Sequence, residues 1–218
     1  MFRILPESLW PRLEPLTVDQ LLDQDRRKQA RIEKIKGSTW GSHAEVAIEE
    51  ARRLFDAELE RRRGADNKAG IYLAAITALI PVLASVLPGL WKADDKIFSG
   101  VSLVVFAVAL SYLFRSGLWA FNTLRVSGFS QLDPVDLIGS GENGDLLHHL
   151  VKRLLLCVSV NLDGTNKKVS YIKMTHEFLL RSFLSFVTFL SVQAIWPGAM
   201  WALKTLYAKL SLLQICAS

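Results

Sequence analysis

The residue types in this chain that could bind a metal or act in catalysis do not occur at the spacings that such chemistry needs. Cys157 and Cys216 lie far apart, without metal-ligand spacing, and we interpret them as ordinary reduced thiols. His148 and His149 are adjacent, so on a helix they point to different faces and cannot form an i, i+4 metal pair. The chain also shows no Walker loop, HExxH motif or nucleophile elbow. We therefore expect no catalytic residue, no metal site and no cofactor, and a protein that is not an enzyme.

One glycine-rich stretch has the spacing of a dinucleotide-binding fingerprint. It runs from Gly139 to Gly144 and reads GSGENG. The fingerprint needs a preceding β-strand, which the sequence does not predict, and Glu142 and Asn143 are typical of a turn. We interpret this stretch as a loop.

Charge is nearly balanced in the first 68 residues, which contain 14 Lys and Arg against 13 Asp and Glu. An arm that binds nucleic acid would be dominated by basic residues, whereas a balanced mixture is typical of solvated helices. We therefore expect no nucleic-acid partner, although the whole chain has a formal net charge of +5.

Three long apolar segments, residues 69–91, 97–114 and 178–203, predict transmembrane helices. A hydrocarbon core of about 30 Å needs about 20 helical residues. The first two segments contain no charged residue, and neither keeps the polar face that a helix of a soluble bundle needs. Because the connection between them is short, we expect an antiparallel hairpin. The predicted fold is an all-α helical integral membrane protein with about three transmembrane helices and cytoplasmic juxtamembrane helices, and its main partner is the lipid bilayer.

The same pattern divides the chain into six predicted segments. They are an N-terminal cytoplasmic helical module (1–40), a juxtamembrane amphipathic helix (41–68), a transmembrane hairpin (69–114), a cytoplasmic helical segment (115–177), a third transmembrane helix (178–203) and an amphipathic tail (204–218). The tail either lies on the far membrane surface or extends the third helix.

Two capping boxes predict where the N-terminal helices begin. Thr17 with Gln20, and Ser42 with Glu45, match the pattern in which a side-chain oxygen and a later side chain satisfy opposing amide groups. The first helix should run over about 18–36. The second carries an apolar stripe at helical spacing, with Gly64 as the one break before the first span. That stripe packs on the middle segment or on a neighbouring subunit.

Basic residues next to the spans predict the orientation. They precede the first span, follow the second and precede the third, so one side of the membrane receives all three groups. We therefore expect the N-terminus and the segment 115–177 in the cytoplasm and the C-terminus outside. The groups consist of Arg61, Arg62, Arg63 and Lys68, then Arg115 and Arg125, then Lys167, Lys168, Lys173 and Arg181.

The sequence that leads into the first span, Glu60 to Ala69, reads ERRRGADNKA. It resembles the Arg-x-Ala-Asp-x-Lys-Ala motif of the Pycsar transmembrane effectors of bacterial antiphage defence. The order of parts is also similar: a juxtamembrane helix, a two-span hairpin, a cytoplasmic segment, an Asn/Lys-rich helix and a final apolar helix. The resemblance covers about residues 49–190, and membrane effectors associated with nucleotide-synthesising cyclases share the same plan. The first 40 residues depart from it.

The resemblance implies a function and a set of residues that couple a signal to the membrane. It implies an effector of the bacterial inner membrane that forms a homo-oligomer on a cytoplasmic signal, a cyclic nucleotide, and then permeabilises the membrane. Because the first 40 residues depart from the family pattern, a partner protein stays open as the signal. We further expect Asp66 and Lys68 to form an ion pair at the membrane surface that a rotation of the helix would displace. The candidate signal-coupling residues are Arg61, Arg62, Arg63, Asp66, Lys68, Asn161, Asn166 and Lys167.

Two alternatives stay open from the sequence. The chain could be a membrane anchor or scaffold without a pore, which recruits a partner protein through its N-terminal helices, or a membrane enzyme whose chemistry the motifs do not reveal. Hydroxyl side chains that a pore would need are present in the first two spans, but small polar residues also pack helices together. They are Thr77, Ser85, Ser99, Ser102 and Ser111.

Overall fold

The computed structural model of the protein describes residues 10–91, 96–125, 128–138 and 146–216. Helices account for 90% of this part of the chain, and no β-strand occurs in it. The helices are α1 (Val18–Gly37), a 3₁₀ turn (Gly41–His43), α2 (Ala44–Trp91), α3 (Lys96–Leu124), α4 (Pro134–Ile138) and α5 (Leu146–Cys216).

Three of the helices, α2, α3 and α5, are long and apolar enough to cross a membrane, judged by their length and composition. Each contains one of the three predicted spans. The prediction of an all-α protein with three membrane-spanning helices is therefore confirmed.

The start of α1 is the predicted capping box. The Thr17 amide donates to the side-chain oxygen of Gln20 at 2.9 Å, and the Gln20 amide donates to the Thr17 hydroxyl at 3.3 Å. At the other end, the Ser38 hydroxyl donates to the Ile35 carbonyl at 2.7 Å. The helix therefore begins where the sequence predicts and extends one residue beyond the predicted end.

The second predicted capping box was wrong. The chain enters α2 through the 3₁₀ turn Gly41–His43, which has no side-chain cap, and Ser42 lies inside that turn. An N-cap residue needs an extended backbone, whereas Ser42 already has a helical one. Gly41 makes this approach possible because glycine, without a Cβ atom, adopts its φ of +50° at little cost.

The predicted break at Gly64 was also wrong, because α2 continues through this glycine and through Pro81 and Pro88. A glycine inside a helix costs only about 1 kcal/mol relative to alanine, and contacts of the neighbouring turns outweigh that cost. The prolines lie in the predicted first span, where neighbouring helices and local adjustments can absorb them.

The helix α5 is a single element of 71 residues that contains the Asn/Lys-rich stretch, the third predicted span and the tail. The boundaries predicted near residues 177 and 203 are therefore changes of composition within one helix. Of the two fates expected for the tail, the structure has the one in which it extends the helix as far as Cys216.

The described residues form two compact units. Unit 1 comprises those of Met1–Leu73 and Trp119–Met174, and unit 2 those of Ala74–Leu118 and Thr175–Ser218. The core of unit 1 joins α2 to α5 through buried Ile48, Ala51, Leu150, Val151 and Leu154, and partly buried Trp40, Phe55 and Leu132 pack against them. The core of unit 2 is built on Leu90, Phe106 and Phe189.

Burial along α3 follows a seven-residue repeat. The buried positions are spaced by four and three residues in alternation, which is the pattern of helices that wrap around one another. Every seventh position carries a small side chain, and four of these are fully buried: Ser102, Ala109, Ser116 and Thr123, each at 0% exposure. Small side chains allow helix backbones to approach closely, which is how helices pack in a membrane. Within unit 2, the Ser116 hydroxyl donates to the Thr175 carbonyl at 2.9 Å.

A larger side chain at Ala51 should destabilise unit 1. Ala51 is 1% exposed in the core between α2 and α5, so Ala51→Leu forces extra volume into a packed contact. We expect a loss of about 1–3 kcal/mol in the free energy of unfolding, measured by denaturant titration of the purified full chain. The matched control is Ala57→Leu on the exposed side of the same helix, which should change it by less than about 0.5 kcal/mol. Equal effects of the two substitutions would contradict the packing.

Candidate signal-coupling site

The two segments that the resemblance singled out are in contact within unit 1. On α2, Arg61 donates through its guanidinium to the Asn166 side-chain oxygen on α5. Five residues further along α2 and two further along α5, the Asp66 carboxylate pairs with the Lys168 ammonium at 2.5 Å. Because the contacts occur in the same order along both helices, α2 and α5 pack in parallel at this point.

The ion pair between Asp66 and Lys168 is unusual because its cation is almost buried. The Lys168 side chain is 7% exposed and the Asp66 side chain is 33% exposed. An ammonium group removed from water is costly unless an opposite charge lies beside it, and Asp66 supplies that charge. Lys168 was not among the residues predicted to couple the signal, because the local sequence does not reveal a partner about 100 residues away.

The expected ion pair between Asp66 and Lys68 was wrong. Residues two apart on a helix do not face each other, so the two side chains leave α2 in different directions. Asp66 turns toward α5, and Lys68 is exposed. The cation that pairs with Asp66 therefore belongs to α5 and not to α2.

A second buried charge, Glu58, lies one turn before Arg61 on α2. Its side chain is 6% exposed, and one carboxylate oxygen accepts from the Arg61 guanidinium at 3.2 Å. Within the described part of the chain the other oxygen has no hydrogen-bond partner, and neither does the buried hydroxyl of Thr165 on α5. Buried polar atoms without partners cost stability, so the contact faces of α2 and α5 are less stable here than an apolar core would be.

The other predicted arginines of α2 have different surroundings. The Arg62 guanidinium stacks over the Phe129 ring, 4.7 Å from its centroid, and donates to the Gly128 carbonyl at 3.4 Å. Phe129 also packs on Phe55, with ring centroids 5.8 Å apart. Arg62 therefore holds the segment after α3 against α2, whereas Arg63 is exposed.

Asn161 fixes the same segment to α5. It accepts from the Ser130 amide at 2.8 Å and donates to the Ser130 carbonyl at 2.9 Å. With both ends of its amide engaged and 4% exposure, Asn161 has a structural role in this conformation. Cys157 lies one turn earlier, and its sulfur accepts a weak hydrogen bond from the Ser130 hydroxyl at 3.6 Å.

Lys167 lies at a cavity of about 500 Å³ between the end of α3 and α5. The wall contains two aromatic rings, Trp119 and Tyr171, with centroids 5.2 Å apart, and the Lys167 ammonium lies 5.9 Å from the Tyr171 centroid. Sequence reasoning missed this cavity, although Trp119 and Tyr171 flank predicted spans as interfacial aromatics do. Its lining residues are Trp119, Asn122, Arg125, Gly164, Lys167, Lys168 and Tyr171.

The sequence also singled out histidines as possible metal ligands and a glycine-rich stretch as a possible nucleotide site. His148 accepts from the Trp40 amide at 3.2 Å, and its ring lies 5.8 Å from that of Trp40. In the described ranges no group of three or more His, Cys, Asp or Glu side chains could hold a metal ion. The glycine-rich stretch 139–144 lies outside the described residues.

The short helix α4 is attached to α5 by an ion pair between Asp136 and Arg153, whose atoms approach to 2.8 Å. The Arg153 guanidinium donates to the Asp136 carboxylate, and the Asp133 amide donates to it at 3.1 Å. Both hydrogen bonds favour the charged form and hold the pKa of the Asp136 carboxyl below its ordinary value of 3.8.

The stability of unit 1 should depend on pH through Asp136. Its pKa is lower in the folded chain, so its stabilising effect is complete above about pH 4, the ordinary pKa range of an aspartate, and declines as the pH falls through the folded pKa. We expect the midpoint of thermal unfolding to decrease on acidification below pH 4 less steeply in Asp136→Asn than in the unmodified protein. Asp56→Asn, which removes an exposed carboxylate, serves as the control and should leave the slope unchanged. A slope in Asp136→Asn equal to that of the unmodified protein would contradict this assignment.

Removing the charge of Asp66 should destabilise the contact between α2 and α5. Asp66→Asn leaves the nearly buried Lys168 ammonium without its counter-charge, and a buried charged donor without a partner costs about 1–3 kcal/mol or more. The measurement is the free energy of unfolding of the purified full chain. Asp56→Asn, ten positions earlier on the same helix, should change it by less than about 0.5 kcal/mol. The proposed role of the pair would be refuted by a loss no larger than that of the control.

Comparison with models of known protein families, with curated proteins and with solved structures found no match for this chain.

Proposed function

We propose that this chain is a multi-pass effector of a bacterial inner membrane, with its N-terminus and residues 115–177 in the cytoplasm. In this proposal a cytoplasmic signal reaches unit 1, the chain forms a homo-oligomer, and its apolar helices permeabilise the membrane as an antiphage defence. The signal is a cyclic nucleotide or a partner protein. The order of the helices and the motif before the first span support this assignment by their resemblance to Pycsar transmembrane effectors.

The observation that carries the proposal is the contact between the two segments of the resemblance. Arg61 and Asp66 on α2 contact Asn166 and Lys168 on α5, although about 100 residues separate them in the sequence. Contacts made of charges and amides can separate at low cost when water or a ligand replaces each partner. An apolar contact has no such replacement in water.

The small net stability of the ion pair between Asp66 and Lys168 suits a conformational switch. A buried ion pair contributes little net stability, because the loss of hydration offsets most of the attraction. A ligand that binds the separated charges better than the paired ones would favour the open state by that difference in binding free energy, which is typically about 1–3 kcal/mol in allosteric proteins. Because α2 is continuous from Ala44 to Trp91, a rotation of its charged segment would also turn its apolar segment.

The hydroxyl groups of the predicted spans divide into two sets. Ser102 is fully buried, so it packs helices inside unit 2. Ser85 and Ser111 are exposed and donate to carbonyls of their own helices, at 2.7 Å and 2.8 Å. Exposed hydroxyls are compatible with lipid and with a neighbouring subunit, so Ser85 and Ser111, together with the exposed Thr77, are available to line a gap in an oligomer.

The alternative, a scaffold without a pore, is favoured by one feature of α1. This helix has no buried residue, and Val18, Leu21 and Leu22 are 73%, 48% and 51% exposed. It contacts α5 through polar groups, with Gln24 and Lys28 at 3.4 Å and 3.2 Å from the Asp163 carboxylate. Apolar side chains left exposed on a charged helix are available for a partner protein.

Expression of the protein should make the membrane potential of bacteria sensitive to infection. We expect cells that produce the unmodified chain to depolarise after phage infection, followed with a potential-sensitive dye. Asp66→Asn should shift the timing or extent of this response, because it disrupts the charge pair that the signal acts on. Asp56→Asn, matched in chemistry and expression level, should respond as the unmodified chain does.

Purified chains in dye-loaded vesicles separate the possible signals. A panel of the four 3′,5′-cyclic mononucleotides should trigger dye release if one of them is the ligand, whereas a partner protein would be required if none does so and infected cells still depolarise. An unchanged membrane potential in infected cells would contradict the effector and favour the scaffold.

A further inference from the structure

The cavity of unit 1 that Lys167 lines has the composition of an anion-binding site. Three of its lining residues are cations, Arg125, Lys167 and Lys168, and Asn122 adds an amide donor. Asp66 already balances the charge of Lys168. None of the residues described as lining the cavity is acidic, so Arg125 and Lys167 give it an excess of positive charge.

We propose that this cavity binds the phosphate group of a ligand whose remaining part lies against the Trp119 and Tyr171 rings. A phosphate accepts several hydrogen bonds at once. An arginine fork and a lysine ammonium are the side chains that most often supply them. This inference does not require the chain to permeabilise a membrane, so it stands or fails separately from the proposed function.

The size and the lining of the cavity suit a ligand that has one charged part and one apolar part. Its volume of about 500 Å³ is larger than a phosphate alone requires. Gly164 forms part of the wall, and a Cβ atom placed on this glycine would meet no other atom within 4 Å, so the surface of α5 is open there. The two rings, tilted by 44° with centroids 5.2 Å apart, supply an apolar and polarisable wall beside the cations.

Two sources could supply a phosphate at this place, a lipid headgroup and a soluble phosphate compound. In the sequence, Trp119 and Tyr171 lie a few residues outside predicted spans that end at Phe114 and begin at Phe178. At 1.5 Å per helical residue this is about 8–11 Å, close to the level at which headgroups meet water. Basic and aromatic side chains are enriched at that level, and basic pockets between helices there bind anionic headgroups. The same position is open to solutes of the water phase.

The test compares matched ligands that differ only in the phosphate. Purified full-length protein in a mild detergent is titrated with phosphatidic acid against diacylglycerol, and with AMP against adenosine, with inorganic phosphate as a further probe. Binding to the folded chain raises the midpoint of thermal unfolding, and native mass spectrometry counts the bound molecules directly. We expect the phosphate-bearing member of at least one pair to bind and its partner to bind at least about tenfold more weakly.

The variant Arg125→Gln/Lys167→Gln removes the two cations that Asp66 does not balance. It should weaken binding of the phosphate-bearing probe about tenfold or more, while leaving the unliganded unfolding midpoint nearly unchanged because both side chains are exposed. Arg31→Gln/Lys36→Gln removes the same charge from the exposed surface of α1 and should bind as the unmodified chain does.

Every outcome of these titrations either supports the phosphate site or overturns it. Binding of phosphatidic acid alone identifies a lipid headgroup, and binding of AMP or inorganic phosphate alone identifies a soluble ligand. The proposal is overturned if no phosphate-bearing probe binds the unmodified chain. It is equally overturned if the Arg125→Gln/Lys167→Gln variant binds as tightly as the α1 control.

Discussion

The ammonium group of Lys168 lies on the face of α5 that contacts α2, with 7% of its side chain exposed. A charge in that position restricts how the two helices can pack, because any register that moves Asp66 away leaves the charge desolvated and alone. In coiled coils a single polar residue at a buried position fixes register in the same way. The register that satisfies Lys168 also brings Arg61 to Asn166, and Asn161 on the same helix holds the segment around Ser130. One ion pair therefore restricts the register in which α2 and α5 pack in unit 1.

Unit 2 is held together by a different constraint, the close approach of helices without a hydrophobic driving force between them. Lipid tails are as apolar as leucine, so helices in a bilayer associate through packing and interhelical hydrogen bonds. The small residues of α3 meet this requirement. The Ser182 hydroxyl donates to the Ala109 carbonyl at 2.9 Å, and Ala109 itself is fully buried. A side chain larger than alanine at that position would keep the two backbones apart.

Features that depend on the solvent, or on residues close together in the sequence, could be predicted from the sequence. The spans follow from runs of apolar residues that only a bilayer accommodates, and the start of α1 follows from Thr17 and Gln20 alone. The continuity of α2 through Gly64 could not, because it depends on contacts that outweigh a small local preference. The partner of Asp66 could not be found either, since Lys168 is about 100 residues away, although helix geometry alone would have excluded Lys68. The cavity at Trp119 and Tyr171 exists only once α3 and α5 are packed.

The pairing of Asp66 with Lys168 is the interaction on which the proposed switch rests, and a double-mutant cycle measures it most directly. The free energy of unfolding of the full chain is compared among the unmodified protein, Asp66→Asn, Lys168→Gln and the double variant. Our account predicts that the double variant loses less than the sum of the two single losses, with a coupling energy of about 1 kcal/mol or more. Losses that add to within about 0.3–0.5 kcal/mol would show that the two charges act independently, and would contradict it.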